Sequence, residues 1–209
     1  MEANNIYVEQ GSDEWHELRL GRATASKFGV IMAGEKYAQY KNYRADIVTE
    51  RLTGNRNDFY KSKEMQWGTD HEPDAALEYW LRENQPTETC GFFAHKTLMA
   101  GASPDRLVGD DGLLEIKCPN TATHIETLRK QKVPNQYIWQ VMGQLWLTGR
   151  KWCDFVSYDP RLPDNASYFC IRVERDEEKI RQLEMEVTNF LESVDSEIAF
   201  IENYKGGQQ

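Results

Sequence analysis

Apolar residues recur at helical spacing near the end of the chain, where Ile180, Leu183, Val187, Phe190, Leu191, Val194 and Ile198 fall three or four positions apart. That period predicts one long amphipathic helix over 174–204 with a single buried stripe. Shorter stretches read the same way. Ser12 stands as an N-cap ahead of DEWHELRLG, with Asp13 and Glu14 in the first turn, where carboxylates favour the helix dipole. A second short helix is predicted from Thr24, with Phe28, Ile31 and Met32 on one face, and a longer one over 37–53 stops at Gly54. After a polar loop, a helix is predicted over 69–83, because Pro73 is compatible only with a first turn. Helices over 121–131 and 135–148 end before Pro134 and at Gly149.

Elsewhere the period shortens to two. Strands are predicted over 87–96, 98–103 and 113–117, with Gly109-Asp110-Asp111-Gly112 as a hairpin loop. Two more, over 151–158 and 167–173, flank the turn-rich DPRLPDN. Helices, then strands, two helices, two strands and a last helix make a mixed α/β domain with a helical N-terminal part. We read 1–209 as one domain: 1–85 helical, 86–175 the core, and 176–209 the C-terminal helix and tail.

Composition narrows the classes. A chain of 209 residues with 40% hydrophobic content supplies one sizeable core, and 6 Trp, 10 Tyr and 8 Phe argue against disorder. MEANNIYVEQ has neither a basic nor an apolar leader region, and no apolar run approaches a membrane span, so a soluble, intracellular protein is expected. Cys90, Cys118, Cys153 and Cys170 are scattered, which favours reduced thiols over disulfides or an iron–sulfur site. The four histidines match no metal-ligand spacing. A net charge of -9 disfavours phosphate contacts unless Lys and Arg are gathered locally. Composition leaves both outcomes open.

One constellation carries chemistry. Ser103-Pro104-Asp105 is followed, after nine residues, by Glu115-Ile116-Lys117. Glu115 and Lys117 are two apart on a strand, so they share a face while Ile116 points into the core. A hairpin brings Asp105 beside that face. Phosphodiester hydrolysis needs hard oxygen ligands for Mg²⁺, an activated water and a cation for developing negative charge. Glu-x-Lys alone is an ordinary strand ion pair; Asp105 at hairpin distance turns it into a candidate metal site.

These residues carry a resemblance. Ser-Pro-Asp followed by Leu-Glu-Ile-Lys-Cys-Pro resembles the PD-(D/E)xK nuclease superfamily, and specifically the phage lambda exonuclease family of viral recombination alkaline exonucleases. The segment from Gln10 through Trp15, Arg19 and Gly21 to Thr24-Ala-Ser26 is similar to that family's N-terminal signature. So are Trp67-Gly68 with Glu72, Gln140-Val141 through Trp146, and Tyr158-Asp159-Pro160-Arg161. Together they span most of the chain, in the family's order.

The resemblance implies a restriction-endonuclease-like fold, a central mixed sheet flanked by helices. It implies two Mg²⁺ ions, with Mn²⁺ as substitute, held by Asp105, Glu115 and the Ile116 carbonyl, and by Glu72 through water. Lys117 would act on the nucleophilic water and Gln140 would complete the site. Arg19, Ser26 and Ser103 would grip a 5′-phosphate, with Trp15 near the DNA. Two departures stand out. Pro73 restricts Glu72, and Thr123 stands where the family places an Arg, with Arg129 a candidate replacement. Without the resemblance, Glu72 reads as a solvated helix residue and Gln140 as part of a wet stripe with Gln136 and Gln144. The expected activity is 5′-to-3′ exonucleolysis of double-stranded DNA to mononucleotides, leaving a 3′ overhang for a single-strand annealing protein. A homotrimeric ring in the cytoplasm of a bacterial host, encoded by a phage or prophage, goes with it. The rivals are a structure-specific or restriction-type endonuclease on the same fold, and an inactive DNA-binding scaffold; the scaffold would be expected to lose at least one of Asp105, Glu115 and Lys117.

Overall fold

A computed structural model describes residues 3–56 and 62–205. Among these residues the strands form two mixed sheets where a single central one was expected. The sheet that carries the candidate site has five strands: β3 (Thr87–Glu88), β6 (Arg106–Val108), β7 (Gly112–Lys117), β8 (Trp152–Tyr158) and β9 (Tyr168–Glu174), in that spatial order. All neighbours are antiparallel except β7 and β8, which run parallel with Glu115 opposite Phe155. Parallel neighbours need a crossover, and α5 (Thr121–Lys130) and α6 (Asn135–Thr148) supply it.

The second sheet corrects the reading of the first 85 residues as helical. Two short strands there, β1 (Ala3–Ile6) and β2 (Ala23–Thr24), flank β4 (Phe92–His95) and β5 (Ala100–Ala102). The run expected as one strand over 87–96 is cut in two, and its halves join different sheets. Gly91 marks the cut: a Cβ there would lie 1.9 Å from the Ile6 carbonyl oxygen, so only glycine permits the approach of β1.

The helices otherwise follow the apolar pattern. The N-terminal ones are α1 (Asp13–Arg19), α2 (Phe28–Ala33) and α3 (Ala38–Thr53). Ser12 accepts from the Trp15 backbone N–H, and Gly54 closes α3 at a left-handed φ of 67°. α4 (Lys63–Glu83) begins six residues before the expected start, capped by Ser62, and Pro73 lies in its interior. Pro73 removes the bond to the Thr69 carbonyl, but both residues lie on the exposed side of the helix, where solvent can take the place of the lost donor. The polar loop expected ahead of this helix lies partly at 57–61, outside the described residues.

The site sheet is covered on both faces. On one side Leu113, Cys153 and Phe155 pack with Val141, Leu145 and Trp146 of α6 and with the stripe Ile180, Leu183, Val187 and Phe190 of α7 (Glu177–Glu202). On the other, Val108, Leu114, Ile116 and Val156 pack on Ala75 and Tyr79 of α4. Alternation along β7 therefore aims Glu115 and Lys117 toward α6, and Ile116 toward α4. No helix among the described residues is long and apolar enough to cross a membrane.

Candidate active site

The hairpin that brings Asp105 to β7 does not start from the strand predicted over 98–103. That strand belongs to the other sheet, and Asp105 immediately precedes β6, a three-residue strand too short to show alternation. The hairpin through Gly109–Gly112 still delivers it to β7: its Oδ2 accepts from the Ile116 backbone N–H at 2.6 Å. The Ser-Pro-Asp segment is pinned from behind. Gln10 Nε2 and the Cys90 thiol both donate to the Pro104 carbonyl, at 2.8 and 3.1 Å.

Glu115 is 0% exposed, and a buried carboxylate must find donors. It finds three. Lys117 Nζ and Gln140 Nε2 donate to Oε1, and Gln144 Nε2 donates to Oε2 at 2.6 Å. Gln144 is a site residue that the sequence reading left on a polar stripe; its spacing of four from Gln140 on one helix face was the available signal. Lys117 also lies 5.3 Å from the centre of the Tyr137 ring.

The electrostatics follow from crowding. Burial raises the Asp105 carboxyl well above its ordinary range, and the negative charges of Glu115 and Glu72 add to this against the opposing Lys117. Burial works against the Lys117 ammonium, but Glu115 and Asp105 outweigh it and hold its pKa above the ordinary value.

Glu72, in the interior of α4, lines the same cleft as Asp105, Ile116 and Lys117, so Pro73 does not turn it away. The cleft has a volume of about 800 Å³. Arg106, which no sequence motif singled out, donates to Glu72 Oε1 at 3.0 Å and to the Asp105 carbonyl at 2.7 Å.

A second cluster forms at the other end of Ser103-Pro104-Asp105. Trp15 Nε1 donates to Ser103 Oγ at 2.8 Å, and the Arg19 guanidinium lies 4.1 Å from the centre of the Trp15 ring. Burial lowers Arg19 to about 10, which leaves it cationic at neutral pH, and it makes no ion pair among the described residues. Ser26 is exposed, with its hydroxyl 3.4 Å from Thr24 Oγ1. Thr123 lines the cleft without a charge, whereas Arg129, in the last turn of α5 and about 9 Å along the axis from Thr123, is not among the described residues that line it.

Residues 14–151 match the model of the YqaJ-like viral recombinase domain. The chain belongs to that family. The chain shares its fold with solved structures: an alkaline exonuclease, LHK-Exo, from Laribacter hongkongensis is 45% identical over 91% of this chain and 96% of its own, with a TM-score of 0.86. The same enzyme in complex with dAMP superposes at a TM-score of 0.87, with the same identity and coverage. A phage-related exonuclease from Haemophilus somnus 129PT, at 14% identity over 86% of this chain and 96% of its own, has a TM-score of 0.74 and shares the fold. No curated protein matches significantly. The restriction-endonuclease-like α/β architecture expected from the motifs is thus the fold of this YqaJ-like chain.

Proposed function

We propose that this chain is a divalent-metal-dependent exonuclease that degrades double-stranded DNA from its 5′ ends to mononucleotides, leaving a 3′ strand for annealing in recombination. The observation that carries the reading is the meeting of three side chains: Asp105 and Lys117 line one cleft, and Glu115, buried directly behind it, is bonded to Lys117. They meet in a viral recombinase family member 45% identical to an alkaline exonuclease.

The donor set fits Mg²⁺. No cluster of three or more His, Cys, Asp or Glu side chains forms among the described residues, but Mg²⁺ keeps several waters and takes only one or two protein carboxylates. Asp105 and Glu115 would supply those, and the Ile116 carbonyl a third oxygen. Asp105, crowded by two further carboxylates, is a group that a cation would relieve. Glu72 would hold a second ion through water, and Mn²⁺ would substitute. When bound, the metal supplies an acidified water and neutralises charge on the attacked phosphate.

The chain's own residues supply the rest. Lys117, held charged beside Glu115, is a preorganised cation for orienting the water and stabilising the developing negative charge. Gln140 and Gln144 fix the Glu115 carboxylate. Arg19 and Ser103, joined through Trp15, would with Ser26 bind an anion beginning two residues before Asp105, which suits a 5′-phosphate near the scissile linkage and has no use in an enzyme that cuts internally. A trimeric ring would concentrate cations along a channel despite a net charge of -9, and an annealing protein would take the product strand.

Linear duplexes with 5′-phosphate or 5′-hydroxyl ends, digested in Mg²⁺ and in Ca²⁺, test this. Mononucleotide release in Mg²⁺ only, faster from phosphorylated ends and reduced below a few per cent in Lys117→Ala, is expected. Nicking of closed circular DNA at a comparable rate would overturn the exonuclease assignment.

A further inference from the structure

The cleft contains a second fixed cation that the chemistry above leaves unused. Arg161 lies in the turn after β8, and its guanidinium is held on three sides. Nε donates to Asp159 Oδ1 at 2.7 Å, and Nη2 donates to Asp159 Oδ2 at 3.1 Å and to the Pro119 carbonyl at 3.0 Å. The guanidinium carbon lies 4.3 Å from the centre of the Trp67 ring, and Trp67 is itself stacked on His71 with ring centres 3.6 Å apart.

The mount is as rigid as its contacts. Asp159 is 0% exposed and also accepts from the Thr121 hydroxyl at 2.6 Å and the Arg161 backbone N–H at 3.1 Å. Burial alone would raise its pKa, but these hydrogen bonds and the Arg161 charge outweigh burial and hold it low. The far end of the turn is tied down by His124, whose Nε2 meets the Ala166 carbonyl at 2.9 Å while Nδ1 pairs with Ser157 Oγ at 2.8 Å.

Yet the Arg161 side chain remains 43% exposed, and its Nη1 makes no hydrogen bond among the described residues. The pair is formally neutral, but its carboxylate is buried while Arg161 lines the same cleft as Asp105 and Lys117. Pro119 is two residues past Lys117, at most about 7 Å of extended chain. Bonded to the Pro119 carbonyl, Arg161 therefore lines the cleft within a short stretch of chain from Lys117.

We propose that Arg161, stacked on Trp67 and locked by Asp159, binds the backbone phosphate next to the one being cleaved. This rests on the nuclease reading above. A guanidinium fixed in advance loses little freedom on binding, which suits a contact that must be remade after every nucleotide removed. It would set the register of the strand over Asp105 and Glu115.

The test is equilibrium binding of duplex DNA by fluorescence anisotropy in Ca²⁺, using a duplex series in which one linkage at a time is a neutral methylphosphonate. Arg161→Gln removes the charge but keeps an amide donor for Asp159; Arg161→Ala is the harsher variant, and if it fails to fold the Gln variant carries the test. Arg161→Gln should weaken binding about 10- to 100-fold and lower the slope of log affinity against log salt by about one. One neutral linkage beside the scissile position should cost the wild type a similar factor and cost Arg161→Gln almost nothing more, since charge and partner are removed together. Wild-type affinity in Arg161→Gln, or neutral linkages that cost both proteins equally at every position, would overturn the proposal. Absence of hydrolysis by the wild type in Mg²⁺ would count against the nuclease reading instead, and the binding comparison would still decide Arg161.

Discussion

Asp105→Asn should make the metal-free protein more stable while ending hydrolysis. The substitution keeps the local geometry, because the asparagine carbonyl can accept the Ile116 N–H that now bonds Oδ2 at 2.6 Å. It removes a charge that burial, Glu115 and Glu72 all disfavour and that Lys117 only partly compensates. Two like charges about 5 Å apart at an effective dielectric of about 20 repel by roughly 3 kcal/mol, and one ammonium nearby cancels a comparable share of the total. The net gain for Asn is on the order of 1–3 kcal/mol, which for a chain of this size corresponds to a rise of about 2–10 °C in Tm. The pH dependence has a definite sign. The folded pKa of Asp105 is raised, so the native state binds the extra proton between the unfolded and folded values, and wild-type stability falls as pH rises through that window. Below about pH 4 the carboxyl is protonated in both states and the two proteins should melt together. Thermal melts in EDTA across this range read the difference, and millimolar Mg²⁺ should stabilise the wild type far more than the variant. A variant that melts below the wild type at pH 8 in EDTA, or by the same margin at every pH, would refute the reasoning.

Gln144→Leu removes a donor from the buried Glu115 carboxylate but also removes an amide oxygen that has no hydrogen-bond partner of its own. The net loss should be about 1–2 kcal/mol in chemical denaturation, with kcat falling more than KM. In Arg19→Ala the preference for 5′-phosphorylated ends should largely vanish, since a charge-assisted contact contributes about 1.5–3 kcal/mol; equal wild-type rates on both ends would remove the basis for this pocket. Light scattering should give about three times the 24.3 kDa chain mass, with long duplexes digested without release under competitor challenge. A stable monomer with distributive digestion would end the ring proposal and leave the metal site standing.

The sequence by itself determined the features whose cause is local. The α7 stripe, the caps at Ser12, Gly54 and Gly149 and the Gly109–Gly112 turn each depend on residues within a few positions of one another, so their pattern is visible without a partner. The pairing of Glu115 with Lys117, two apart on a strand, was legible for the same reason. Elements of two to four residues such as β1, β2 and β6 have no room for a period, and only their sheet partners make them strands. The Pro73 rule failed because it treats a lost backbone bond as fatal, whereas the tertiary structure leaves Thr69 and Pro73 on an exposed helix face. Gln144 and Arg106 acquired partners 29 and 34 residues away, and Arg161 was fixed against Pro119 and Trp67, 42 and 94 positions distant. A glutamine on a stripe and an arginine in a turn are chemically unassigned until packing decides what they face. The burial of Glu115, which demands three donors and crowds Asp105, is a consequence of α6 covering the sheet, and it appears only when the chain has folded.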